Sequence, residues 1–108
     1  MRRWNGWGEE SVDHDLNPNA LEFLSSALGE GRILPTATEA EALEQIPNPR
    51  TDPHPLLSTD PAIRLRHARG QSLDDWLSLK SGNIGVFPDA VAFPSHPDEV
   101  REILEVYK

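Results

Sequence analysis

The stretch that decides the fold is Phe87 to Lys108, FPDAVAFPSHPDEVREILEVYK. A short apolar run at Ala90 to Phe93 predicts a strand, Pro94-Ser95 a turn, and Val100, Ile103, Leu104 and Tyr107 the apolar face of a helix. This is the first half of a βαβ unit. Such a half has no sheet on which to bury its apolar faces, and its parallel partner arrives only after a crossover of a dozen or more residues. The reading therefore expects these 108 residues to be the N-terminal section of a larger protein, with a downstream strand as partner to Ala90–Phe93. It places Val100 and Leu104 in the eventual core.

Working outward, composition sets the limits. Only 37% of the chain is apolar, and 10 Pro and 7 Gly are spread through it, so the core is expected to be thin. Eighteen acids against ten bases give a net charge of −8, which excludes recruitment of nucleic acid or an anionic membrane by long-range attraction. The basic clusters are Arg2-Arg3 and Arg64 to Arg69. With no cysteine, disulfides, thiolate metal sites and cysteine nucleophiles are all excluded. No run reaches the roughly 20 apolar residues of a membrane span, and Met1-Arg2-Arg3 leads into no apolar h-region. The expected location is cytoplasmic.

Helix punctuation is strong. Asn17 and Pro18 open a helix that presents Leu21, Leu24, Ala27 and Leu28 and stops at Gly29. Thr38 and Glu41 have capping-box spacing for a second helix with Ala42, Leu43 and Ile46 inward, ending before Pro47. Pro47 to Pro55 holds four prolines in nine residues and reads as an extended linker separating two parts. Beyond it, Thr59 or Asp60 caps a helix from Pro61 to Gly70. Ser72 and Asp75 open a shorter one carrying Leu73, Trp76 and Leu77, with the indole of Trp76 in the core. The last two are expected to pack as a pair.

Catalytic signals are absent from this pattern. His14, His54, His67 and His96 are scattered with no zincin-like spacing, and Asp13-His14-Asp15 reads as a solvated acidic turn. No serine lies in a nucleophile elbow, and Gly82-Asn83-Ile84-Gly85 follows a helix instead of preceding one, so it cradles no phosphate. No catalytic or metal residue is assigned. Arg64, Arg66, His67 and Arg69 crowd two turns of helix and need compensation. Nearby acids can provide it; alternatively Arg64, His67 and Arg69 contact a phosphate or another domain. Trp4, Asn5 and Trp7, within Trp4-Asn5-Gly6-Trp7-Gly8, are read as anchors that pin the start of the chain, with a stacking platform as the alternative.

Four segments, in order, resemble the FAD-linked oxidases of the vanillyl-alcohol oxidase type, in the alkyldihydroxyacetonephosphate synthase branch and its bacterial relatives. They are RRWNGWG at Arg2 to Gly8, STDPAIRLRHARGQSL at Ser58 to Leu73, PDAVAFP at Pro88 to Pro94 and HPDEV at His96 to Val100. The last two are shared across the superfamily, and the first two narrow the resemblance to the branch. Arg64 and Gly70 match an arginine and glycine of that branch, whereas Arg69 and Gln71 stand where its ether-lipid synthases carry histidines.

The resemblance implies a mainly α chain with a short β element: an N-terminal helical region plus the first βα unit of an α+β FAD-binding domain. Residues 1–57 would be the helical segment and Pro-rich linker, 58–87 the helical pair and 88–108 the start of the FAD-binding domain. The implied function is the structural, non-catalytic N-terminal region of an FAD-dependent oxidoreductase. FAD would be held by the full-length protein and not by this chain, and the partners would be its own downstream FAD-binding and substrate domains. The competing class is a stand-alone acidic interaction module or gene remnant with no enzymatic activity.

Overall fold

The structure, a computed structural model, describes all 108 residues. Five helices and one small sheet follow in the order α1 (Pro18–Leu28), α2 (Glu39–Glu44), β1 (Leu57–Ser58), α3 (Pro61–Arg66), α4 (Leu73–Lys80), β2 (Val91–Ala92) and α5 (Pro97–Val106). Helix dominates, and the sheet is a two-stranded antiparallel pair.

Local chemistry sets the helix starts. Asn17 Oδ1 accepts from Asn19 N at 2.9 Å to open α1. At α2 and α4 the boxes close in both directions: Thr38 Oγ1 accepts from Glu41 N at 3.2 Å while the Glu41 carboxylate accepts from Thr38 N at 2.8 Å, and Ser72 and Asp75 repeat the exchange. Asp60 Oδ1 accepts from Ile63 N at 3.1 Å to cap α3. At α5 the cap is His96, whose Nδ1 accepts from Asp98 N at 3.3 Å. Each such cap contributes about 1 kcal/mol.

One core cluster joins segments distant in sequence: Trp4, Ala42 of α2, Leu65 of α3, Leu79 of α4, and Ile84 and Phe87 beyond it. Only eight of the 108 residues are buried, so the thin core expected from composition is what forms. The N-terminal loop reaches this core by folding back on itself. Arg3 N donates to Gly8 O at 3.0 Å and Glu10 N to Met1 O at 2.9 Å, with Gly8 at φ 88° turning the chain where a side chain would be strained.

Several expectations are corrected. The strand at Ala90–Phe93 was expected to wait for a downstream partner, but Val91 and Ala92 pair with Ser58 and Leu57. Two residues upstream of a cap are too short to show a period of two, so β1 had no signal. Helix α3 stops at Arg66, not Gly70, and His67 at φ −113° begins a turn. It packs chiefly on α2, meeting α4 through Leu65 and Leu79 in the shared core. The buried face of α4 is Trp76 with Leu79; Leu73 and Leu77 are exposed. Val100 and Leu104, assigned to the core, are 42% and 63% exposed: α5 buries none of its residues, and of its apolar face only Ile103, beside the Pro-rich segment, is half-buried. Helix α1 buries none of its residues, leaving Leu21, Phe23, Leu24 and Leu28 exposed.

The Pro47 to Pro55 segment forms no helix or strand, and it is tied down along its length. Arg50 forms a bidentate pair with Asp89, Nη2 to Oδ2 at 2.8 Å and Nε to Oδ1 at 3.1 Å. Thr51 Oγ1 shares a hydrogen bond with Tyr107, and His54 Nε2 lies 3.5 Å from Glu102 Oε1. It acts as a strap across β2 and α5.

Candidate functional site

The basic run on α3 divides by direction, since successive helical positions turn by about 100°. Arg64 points inward. It is 1% exposed, and its guanidinium donates from Nε to Pro88 O at 2.7 Å and from Nη1 to Pro47 O at 2.9 Å, while Nη2 has no partner. A planar fork of five donors suits two carbonyls on separate segments, and a lysine could not span them equally. Arg64 therefore clasps the strap to the segment entering β2.

His67 and Arg69 face elsewhere. His67 Nδ1 lies 2.8 Å from Ile63 O, so that nitrogen carries a proton, and the ring stands edge-on to Phe93 with centroids 5.6 Å apart. Arg69 donates from Nε to Ile84 O at 2.7 Å and lies 3.7 Å from Asp75 Oδ1. Arg64, His67 and Arg69 are thus not brought together as one site. Backbone carbonyls, more than acids, occupy the two arginines.

Two walls of cation meet at a cleft whose His67, Trp4 and Trp76 carry separate assignments from sequence, as a phosphate or interdomain contact, an anchor and a core residue. Arg66 projects from α3 toward the N-terminal loop, donating to Arg2 O at 2.9 Å. Arg2 donates to Gln71 Oε1 at 3.0 Å, and the two arginines, His67, Trp4 and Trp76 line a cleft of about 280 Å³ with Gln71 and Arg3. Of these, Arg66 was noticed only as a member of the basic run. The pairing of Arg2-Arg3 with Arg66 depends on the loop folding back, which no local pattern announces.

The anchors behave unequally. Trp4 is buried in the core, Asn5 is half-buried, and Trp7 is 59% exposed. The Trp7 ring nevertheless meets Trp76 edge-on, with centroids 6.0 Å apart and planes at 74°. Trp76 is half-buried against the core, and its Nε1 is buried without a partner.

A larger cavity of about 500 Å³ lies between the strap and α5, lined by Arg50, Thr51, Leu57, Asp89, Ile103 and Tyr107 among others. The Asp89 carboxyl at its rim is held below the ordinary range, first by the hydrogen bonds from the Arg50 guanidinium and N–H, then by the charges of Arg50 and Arg64. Asp75 is lowered chiefly by the Ser72 hydroxyl and N–H, and Glu41 and Glu99 chiefly by the N–H groups of Thr38 and Ser95. These are cap and clasp carboxylates, and the hydroxyls beside Glu41, Asp75 and Glu99 are those of Thr38, Ser72 and Ser95 at the helix starts. No group of three His, Asp or Glu side chains is placed to hold a metal, and no helix is long and apolar enough to cross a membrane.

Comparison with protein-family models, with curated proteins and with solved structures finds no match to this chain.

Proposed function

We propose that this chain is the structural, non-catalytic N-terminal region of an FAD-dependent oxidoreductase of the vanillyl-alcohol oxidase type, similar to the alkyldihydroxyacetonephosphate synthase branch. The observation that carries the reading is spatial. The four segments of the resemblance meet in the fold: the Arg2–Gly8 loop accepts a hydrogen bond from Arg66 of the second segment, Ser58 at the start of the second pairs with Val91 of the third, and α5 of the fourth follows directly. Residues 16–57, which match the family only loosely, contribute the uncovered α1, the strap, and α2, on which α3 packs and whose Ala42 joins the core.

The role is to dock and brace. The second edge of β2 and the exposed Val100 and Leu104 on α5 suit a further parallel strand, which a flavin domain supplies. The strap and Arg64 hold that βα unit against the helical part, and Trp4 pins the start of the chain. FAD would bind beyond this region, because its diphosphate needs converging backbone N–H groups of a Gly-rich loop.

Titration of FAD into the purified 108-residue chain, followed by flavin fluorescence and thermal shift, tests the reading. No binding is expected here, while a protein extended by about 100 to 150 residues, one domain's length, retains yellow flavin. Stoichiometric low-micromolar binding to the short chain, or no flavin on the extended protein, overturns it. The exposed apolar face of α1 in an acidic chain favours the second reading, an interaction module with no enzyme attached. A stop codon directly after Lys108 in the gene supports that alternative, and an open frame running on into a strand and Gly-rich loop supports the oxidoreductase.

A further inference from the structure

We infer that the apolar side of α1 docks a second copy of this chain, through an antiparallel pairing of the two α1 helices. The inference stands apart from the flavoprotein reading. Residues 7 to 36 are exposed without a break, and the stretch is rooted near both ends, where Glu10 N donates to Met1 O at 2.9 Å and Ala37 N to Lys80 O at 2.8 Å. The chain is correspondingly long, 56 Å by 27 Å by 25 Å, with a radius of gyration of 18.3 Å, where about 13 Å is usual for a compact chain near this length. At 11 residues α1 is shorter than the roughly 12–15 that a helix needs to persist in water by itself, and it buries none of them here. Its stability calls for a partner surface that the rest of the chain does not supply.

The face itself is apolar and uncharged. At about 100° per residue, Phe23, Ala27, Ala20, Leu24, Leu28 and Leu21 follow one another around one side of α1, while Asn19, Glu22 and Ser26 occupy the other. Glu22 is the one charged residue of the helix and lies away from that seam. A partner chosen by charge would have nothing to pair with there, whereas the same face of another copy matches it in kind. Two such helices run antiparallel about a two-fold axis near Leu24, the Leu21 end of each against the Leu28 end of the other, which also opposes their dipoles. Size agrees with this occupant. Leu21, Phe23, Leu24 and Leu28, with Ile33 and Leu34 just beyond the helix, are each at least 42% exposed. At roughly 200 Å² for a fully exposed large side chain, these six present on the order of 800 Å², about what a standard interface takes from each partner and more than a monomer usually leaves in one patch. The net charge of −8 opposes the pairing at long range, and physiological salt screens that repulsion beyond about 8 Å.

Sedimentation equilibrium of the 108-residue chain, from about 1 μM to about 1 mM, tests the pairing. A 12.0 kDa monomer that passes to twice that mass is expected, with a Kd in the micromolar range, the weak end for such an area. Leu24→Glu and Leu28→Glu each set an unpaired charge into the seam and are expected to weaken pairing by about tenfold or more. Both leucines are exposed in the single chain and glutamate is a good helix former, so the thermal midpoint of the dilute chain is expected to hold. Ser26→Glu adds the same charge on the wet side and is expected to leave the dimer as it is. Raising sodium chloride is expected to tighten the dimer, because it screens the like net charges. A mass that stays at 12.0 kDa throughout overturns the inference and gives the face to a different protein. A dimer that both leucine variants leave intact also overturns it, since the contact then lies elsewhere, as does a dimer that salt disperses, since ion pairs then hold it.

Discussion

Replacing Arg64 by Met keeps the length of the buried stem and deletes the guanidinium that joins Pro47 O to Pro88 O. Two carbonyls then lose their donor inside the protein. Each costs about 1–3 kcal/mol if left dry, a gross loss of about 2–6 kcal/mol. Part of this returns, because a charge buried to 1% exposure with Nη2 unpartnered carries its own desolvation cost. The net loss expected for Arg64→Met is about 2–4 kcal/mol, a large share of the stability of a small domain. With a urea slope of about 2 kcal/mol/M, the unfolding midpoint falls by about 1–2 M. Arg64→Lys retains the charge but reaches one carbonyl at a time, so its midpoint is expected between the two. An unchanged or raised midpoint for Arg64→Met would refute the brace, showing that water meets both carbonyls and that the buried charge only costs.

The aromatic pin and the cap carboxylates give two further expectations. Trp76→Ala is expected to cost about 3 kcal/mol and Trp7→Ala about 1 kcal/mol, with a double-mutant coupling near 1 kcal/mol from the edge-on pair; additive losses in urea unfolding would show that the contact is not formed. Glu41, Asp75, Asp89 and Glu99 all titrate below their ordinary values in the folded chain, so between the folded and unfolded values the unfolded chain binds more protons. Their contribution is complete above the ordinary carboxylate range and is lost as pH falls below about 4; Glu41→Gln with Asp75→Asn is expected to flatten that acid limb of the stability curve, and an unaltered limb would exclude the caps as its source.

How much was legible follows the range of each interaction. Caps work between residues two or three apart, so Asn17 with Pro18, Thr38 with Glu41, Asp60 with Pro61 and Ser72 with Asp75 announced four helix starts that the structure contains. The thin core followed from apolar content, and the absence of helix from Pro47 to Pro55 from proline. Trp4 was marked as an anchor by its size beside a terminus and is buried.

Direction was not legible where a side chain chose among distant partners. A guanidinium on α3 is satisfied equally by a phosphate, an acid or a carbonyl, and only the return of the chain after α4 brings Pro88 O and Ile84 O to Arg64 and Arg69. Likewise Leu57 and Ser58 carry no strand period, and become a strand because Val91 and Ala92 arrive beside them. Apolar spacing marked one face on α5, but how much of that face is covered depends on what lies across it: only Ile103 is half-buried, while Val100, Leu104 and Tyr107 stay exposed. The sequence by itself thus determined where helices begin and that the core is small, because those outcomes are decided within a turn of chain or by composition. The tertiary structure alone decided which cations are buried, which are paired and which meet across a cleft, because those depend on segments tens of residues apart coming within about 3 Å of each other, the length of a hydrogen bond.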